Sequence, residues 1–342
     1  MNEITAVLIT KNEAKVIERC IRSVKGFDEV VVLDTGSTDK TVEIARRAGA
    51  KVVETNARPL FNFSVARNLA LSQVRTPWAL SIDADEVLRG GSLGKIFAGI
   101  RDPKGVSAFT VTFINQDPLN PSRTFTTQKV KIFRVDTWSW RYRVHEQLFT
   151  TVEGARIGQL AEVSIEHLPT PDKKARRAQN VELLLLCVKE NPEYIRAFRH
   201  LGQELMLMEK WDDAIPYLNH YVEKTEESSE QKSAVMTRLA MCLINKGGHY
   251  DDALRWLDLA ATTNPAAREP LFWAGRYVST LAQTVDQVNR AIDYFSRALA
   301  IKDDGSSFKT TDFPEAWDDG LIKRHIAACQ RGLVQLGANT GK

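Results

Sequence analysis

Pro77-Trp78-Ala79-Leu80-Ser81-Ile82-Asp83-Ala84-Asp85-Glu86 is the stretch on which the fold turns. Residues 77–82 are almost wholly apolar and of strand length, so they read as a buried strand. The strand then stops abruptly on carboxylates. Upstream, apolar runs at 4–9, 29–33 and 51–54 predict three more strands. Helical stretches at 14–24, 40–48 and 63–73 alternate with them. In the first, Val16, Ile17, Cys20, Ile21 and Val24 share one face, and Gly49 stops the second. Strand and helix in this rhythm imply an α/β fold, a parallel sheet covered by helices on both faces. The functional edge of such a sheet lies at the carboxyl ends of its strands.

Downstream the texture changes. Strands are expected at 107–114, 128–135, 147–152 and 163–167 without long helices between them, a mixed completion of the same sheet. The polar, proline-containing stretch 115–125 reads as a mobile loop over the site. The linker PTPDKK, 169–174, closes this part.

Beyond Ala175 the chain reads as all-α, and a repeat is visible. Leu201-Gly202, Leu205, Ala214 and Leu218 recur as Leu239-Ala240, Leu243, Ala253 and Leu257, then as Ala274-Gly275, Val278, Ala291 and Phe295. Ala214, Ala253 and Ala291 stand 39 and 38 residues apart. Small residues at such points let paired helices approach, while the large apolar ones fill between them. The pattern resembles tetratricopeptide repeats, whose unit is about 34 residues, lengthened by short insertions such as 246–249. Two domains are expected: a catalytic one at 1–170 and a helical repeat domain at 171–342.

The bulk properties exclude several classes. A net charge of +3 in 342 residues is far from the strongly basic balance of a dedicated nucleic-acid binder. Cys20, Cys187, Cys242 and Cys329 are scattered and form no C-x-x-C pair, against a zinc site or disulfide framework. No apolar run approaches the roughly 20 residues of a membrane span, and no signal-peptide pattern opens the chain. The expectation is a soluble, cytoplasmic protein without a membrane span.

Asp83 and Asp85, at i and i+2 after a strand, offer oxygen ligands to one hard cation and leave room for phosphate oxygens. A divalent ion there neutralises a leaving diphosphate. Taken alone, the triplet reads equally as a solvated acidic turn, and Glu86 as the start of the following helix. Position decides. Thr10-Lys11-Asn12-Glu13 ends the first strand, and Asp34-Thr35-Gly36-Ser37-Thr38-Asp39 ends the second. Three polar clusters therefore fall on one sheet edge. Asp34 suits a base or ribose, Gly36 and Ser37 a tight turn with exposed backbone donors, and Thr38 or Asp39 a helix cap. Further on, Arg141-Tyr142-Arg143-Val144-His145-Glu146 carries a His–Glu pair. Glu146 is the candidate general base, and His145 its orienter or a phosphate contact. Trp138 and Trp140 read either as stacking platforms or as core.

TKNE, DTGSTDKT and SIDADE, in this order and spacing, resemble family 2 glycosyltransferases of the GT-A fold over roughly residues 3–170. The resemblance implies that Thr10, Asn12, Glu13, Asp34 and Ser37 hold a nucleotide. It implies Asp85 as main metal ligand, with Asp83 nearer the ribose or sugar, and Arg67-Asn68 as a helical pair beneath the donor. His167 would complete the shell of a Mn2+ or Mg2+ ion, an imidazole suiting Mn2+ better. The expected activity is metal-dependent, inverting transfer of a hexose from a nucleotide-sugar, UDP-glucose favoured. The acceptor stays open between polypeptide, envelope glycan and modified nucleic-acid base. The layout resembles transferases that append tetratricopeptide repeats and implies a homodimer through them. The rival is a non-catalytic scaffold, against which the intact acidic triplet speaks.

Overall fold

The computed structural model describes residues 3–55, 62–116, 124–168, 174–302 and 313–339. The chain divides into two compact units, Met1–Cys187 and Val188–Lys342.

The first unit is an α/β assembly. Its strands are β1 (Ile4–Thr10), β2 (Glu29–Asp34), β3 (Lys51–Glu54), β4 (Trp78–Ser81), β5 (Glu86–Leu88), β6 (Ala108–Gln116), β7 (Thr124–Arg134), β8 (Ser139–Arg141), β9 (Gln147–Phe149) and β10 (Ile157–His167). Its helices are α1 (Ile17–Ser23), α2 (Thr41–Arg47), α3 (Phe63–Leu71) and α4 (Ser92–Arg101). Eight strands form one mixed sheet in the order β3-β2-β1-β4-β7-β6-β10-β5, and β8 and β9 pair separately. β1 runs parallel to β2 and β4, and β10 parallel to β6. β7 runs antiparallel to both β4 and β6, and β5 antiparallel to β10.

Burial explains the arrangement. Ile4, Ala6 and Leu8 face a core shared with Ile17, Cys20 and Ile21 of α1 and with Ile96 and Ile100 of α4. Val7, Val31, Leu33, Ala79 and Phe133 point the other way, against Ala66, Ala70 and Leu71 of α3 and Trp138. A strand apolar on both faces is stable only when both are covered. Because β7 alone reverses direction at the centre, β1, β2, β4, β6 and β10 all end on one edge.

The second unit is all-α: α6 (Ile195–Leu207), α7 (Trp211–Lys224), α8 (Ser229–Lys246), α9 (Tyr250–Thr263), α10 (Glu269–Leu281), α11 (Val285–Ala300) and α12 (Asp319–Asn339). The division from the first unit falls within α5 (Lys174–Glu190). The repeat read from sequence is a set of helical hairpins, α6 with α7, α8 with α9 and α10 with α11. Gly202 lies against Leu218, where an added Cβ would stand 2.5 Å from the leucine side chain, and Gly275 lies against Phe295 at 2.9 Å. These are the small and large positions of the repeat, facing each other across each pair. Thr284 and Gln287 form a capping box at the start of α11.

Several boundaries differ from expectation. α1 begins at Ile17, three residues later than the periodicity predicts. β10 starts at Ile157, six residues before the expected strand, because the apolar alternation of 157–162 is weak. β5 and β8 are three residues each, too short to show a period. Asn115, Gln116, Thr124 and Phe125 of the expected loop belong to the β6–β7 hairpin, and its remainder lies outside the described residues, as does the linker before Lys174. Among the described residues no helix is long and apolar enough to cross a membrane.

Candidate functional site

At the ends of β1 and β2 the chain forms a cradle. The Asp34 carboxylate folds back on its own loop, accepting from the backbone of Gly36 at 3.0 Å and Ser37 at 2.8 Å, and from the Ser37 hydroxyl. Gly36 is in the left-handed region, φ 95°, which this turn requires. The TKNE loop docks on it. Asn12, also left-handed at φ 57°, gives its N–H to the Ser37 hydroxyl at 2.8 Å and accepts from the Thr38 N–H at 2.7 Å. Asparagine is among the few residues that enter this region readily. The Glu13 N–H donates to the Thr41 hydroxyl at 2.8 Å. Asp39 accepts from the Thr41 N–H at 3.0 Å and from the Ala14 N–H, and so serves the start of α2. Thr10 is buried at the end of β1, and among the described residues its hydroxyl has no partner.

The acidic turn is built differently. Glu86 is buried on β5 and accepts two hydrogen bonds from the Lys131 ammonium, at 2.8 and 2.7 Å, and one from the Asp83 N–H at 3.0 Å. The expectation that Glu86 merely starts a helix is therefore corrected: it is one half of an interior ion pair. Lys131 reaches it through a β-bulge. Phe109 pairs with Ile132 and Thr110 with Val130, so Lys131 is the extra residue, re-aimed inward. Burial opposes charge on Lys131, but Glu86 and Asp83 outweigh it and hold the ammonium protonated. Cys20, packed below, donates to the Asp83 carbonyl at 3.2 Å, and burial pushes its thiol well up.

Arg67 of α3 closes the network on the other side. Its Nη2 bonds Asp83 at 2.8 Å, its Nε bonds Glu146 at 2.6 Å, and Nη1 reaches the Ser81 hydroxyl at 3.3 Å. Burial would raise the Asp83 carboxyl, but Arg67 and Lys131 overcome it and hold the group well below the usual range. The guanidinium lies 4.9 Å over the Trp140 ring, and Asn68 grips the Trp140 backbone at both N–H and C=O, at 2.8 and 2.9 Å. Trp138 is core, its indole N–H on the Ser107 hydroxyl at 3.0 Å.

Asp85 and His167, 82 residues apart in sequence, meet because β5 pairs with β10. His167 Nε2 lies 3.3 Å from Asp85 Oδ2, and the Leu168 N–H bonds the Asp85 carbonyl at 2.9 Å. Both side chains are about a quarter to a third exposed, 26% and 30%, so the pair opens outward. Among the described residues no group of three or more His, Cys, Asp or Glu side chains is placed to hold a metal. One carboxylate oxygen and one imidazole nitrogen suit a cation whose other positions are filled from elsewhere. His145, left-handed at φ 52°, is exposed, whereas Glu146 is half-buried under Arg67.

Thr10, Asn12, Glu13, Asp34 and Ser37 thus gather in one cradle, Asp83, Arg67 and Glu146 in one charge network, and Asp85 with His167 in an open pair. Sequence reasoning missed Lys131 and Glu86 as partners. The available signal was a lysine inside the apolar run Val130-Lys131-Ile132-Phe133.

Comparison with known proteins agrees. The glycosyl transferase family 2 model matches residues 5–153. The chain is 26% identical over 337 residues to the SPbeta prophage-derived glycosyltransferase SunS of Bacillus subtilis (strain 168), covering 95% of this chain and 72% of that one. An uncharacterized glycosyltransferase of Rickettsia bellii is 49% identical over 87 residues, 25% of this chain and 29% of its own length. The solved glucosyl-3-phosphoglycerate synthase of Mycobacterium tuberculosis, in complex with Mn2+ and UDP-glucose, is 26% identical over 33% of this chain and 44% of that one, with a TM-score of 0.29. Fold, site and relatives together define a glycosyltransferase. The glycosyl transferase family 2 model matches its segment 5–153, which is followed by a helical region.

Proposed function

We propose that the chain transfers a hexose from a UDP-sugar to an acceptor nucleophile, with inversion and with help from Mn2+ or Mg2+, residues 1–170 being catalytic and 171–342 the repeat domain. The observation that carries this is the outward-facing Asp85–His167 pair, 3.3 Å apart, on the edge that also bears the Asn12–Asp34–Ser37 cradle. UDP-glucose is the favoured donor. The acceptor is a polypeptide, a glycan or a modified nucleic-acid base. Cytoplasmic placement belongs to this reading, supported by four buried cysteines without disulfides.

In this reading the cradle of Thr10, Asn12, Glu13, Asp34 and Ser37 holds the nucleotide. Asp85 and His167 hold the cation, which offsets the charge of the leaving diphosphate. Asp83, fixed by Arg67 and by its N–H to Glu86, stays ionised and accepts from a ribose or sugar hydroxyl. Glu146 is the base. Its Oε1 is engaged by Arg67, which leaves Oε2 to the acceptor. The acceptor gives its proton to that oxygen and bonds to the anomeric carbon, while the bond from that carbon to the diphosphate oxygen breaks. His145 orients the acceptor or contacts phosphate.

The test is incubation with Mn2+ and a panel of nucleotide-sugars. UDP-sugar turnover is expected, and Asp85→Ala should lower it by about 10²–10³-fold, the usual cost of losing a charge stabiliser. Near wild-type turnover of that variant in metal-replete buffer sinks the assignment. Glu146→Ala should keep UDP affinity and lose transfer; lost affinity with retained turnover removes Glu146 as the base.

A further inference from the structure

We propose that Lys129 is the cation that binds the donor's diphosphate, and thereby the residue through which this chain tells nucleoside diphosphates from monophosphates. The proposal rests on the donor-site reading above and adds a residue to it.

Three cations border the acidic turn, and two are already paired with its carboxylates. Arg67 is divided between Asp83 and Glu146, and Lys131 is closed by both oxygens of Glu86. The charge of each is already committed to a carboxylate, and drawing it to a new anion would leave that carboxylate undercompensated, a costly exchange. Lys129 differs. Val111 stands opposite Lys129, and Phe109 opposite Ile132; only the intervening bulge allows both to face one side of the sheet. Lys129 is exposed, and its ammonium sits 3.6 Å from the centre of the Phe113 ring. It lies in the field of Glu86, Asp83 and Asp85, yet no carboxylate among the described residues pairs with it.

The Phe113 ring is also packed 5.7 Å from the His167 ring. The ammonium and the Asp85–His167 pair therefore border the same buried aromatic. A cation over an aromatic face is held in place by the ring rather than by a carboxylate that would take up its N–H donors. Lysine has three of these, and it recognises phosphate as a point charge. A diphosphate set beside Asp85 brings its own negative charge into an already acidic corner. Lys129 supplies compensation from β7 that Arg67 and Lys131 do not.

The experiment is calorimetric titration of the full chain with UDP and with UMP, with and without Mn2+, for wild type, Lys129→Gln and Lys129→Arg. Wild type should bind UDP more tightly than UMP. Lys129→Gln should keep its UMP affinity and melting temperature and lose about tenfold or more in UDP affinity, the worth of a hydrogen bond to a charged group. Lys129→Arg should restore most of it. An unchanged UDP-to-UMP ratio in Lys129→Gln overturns the role of Lys129 alone. Wild type that binds neither nucleotide overturns the donor-site reading and this proposal together.

Discussion

The two ends of the functional edge solve the same problem by different means. At the β1 and β2 loops, Asp34, Asp39 and Asn12 are satisfied by neutral groups, backbone N–H donors and hydroxyls, whether the side chain is buried, as Asp34 is, or exposed. At the β4–β5 turn, Asp83 and Glu86 are satisfied by two interior cations, Arg67 and Lys131. The first arrangement is local turn chemistry, in which a lost partner is one neutral donor among several and strands no opposite charge. The second is a charge network built on the buried Glu86–Lys131 pair, in which a lost partner strands an opposite charge. Losing one partner should therefore cost less at the nucleotide side than at the Glu86–Lys131 pair.

The largest effect should follow from breaking the interior pair. Lys131→Met leaves Glu86 buried without its cation and is expected to cost about 3–5 kcal/mol in urea unfolding. The double change Glu86→Leu with Lys131→Met should recover most of that loss. A single-variant cost under about 1 kcal/mol would erase the contrast between the two ends. In the helical unit, Gly202→Ala pushes a methyl into Leu218 and should cost about 1–3 kcal/mol by overpacking. UDP affinity measured on that variant should not move.

The smallest effect belongs to the cradle. Asp39→Ala removes the acceptor for Thr41 and Ala14 and should cost about 1 kcal/mol, as other helix-start acceptors do. Burial pushes the Asp39 carboxyl up, but the Thr41 hydroxyl and amide and the Ala14 amide outweigh it and lower its pKa. The sign follows: the folded state binds this proton less readily than the unfolded chain. The stability Asp39 contributes is therefore present above the unfolded value of about 4 and fades as pH falls through the depressed one. The gap between wild type and Asp39→Ala in unfolding free energy should be flat from neutral pH to about 5 and narrow below about 4. A gap that widens in acid contradicts the hydrogen-bond account.

This contrast also marks what was legible from sequence. The cradle could be read because its signals are local: Gly36 and Ser37 for a tight turn, Thr38 or Asp39 for a helix cap, apolar runs for the strands beneath. The repeat could be read because Gly202 and Leu218 recur with their counterparts at steady spacing. The interior pair could not. Glu86 and Lys131 lie 45 residues apart, and they meet only through the order of strands in the sheet and a bulge in β7. β5, three residues long, carries no period, so Glu86 passed for a helix start. The approach of His167 to Asp85 was expected through family resemblance alone, since it depends on the pairing of β5 with β10.

The most direct test of the central claim is Mn2+-dependent UDP binding, measured by calorimetry on wild type and on Asp85→Ala. The account predicts that Mn2+ strengthens UDP binding to the wild type and that this gain disappears in Asp85→Ala, while the metal-free affinity held by the cradle remains. An equal Mn2+ gain in both proteins would contradict it.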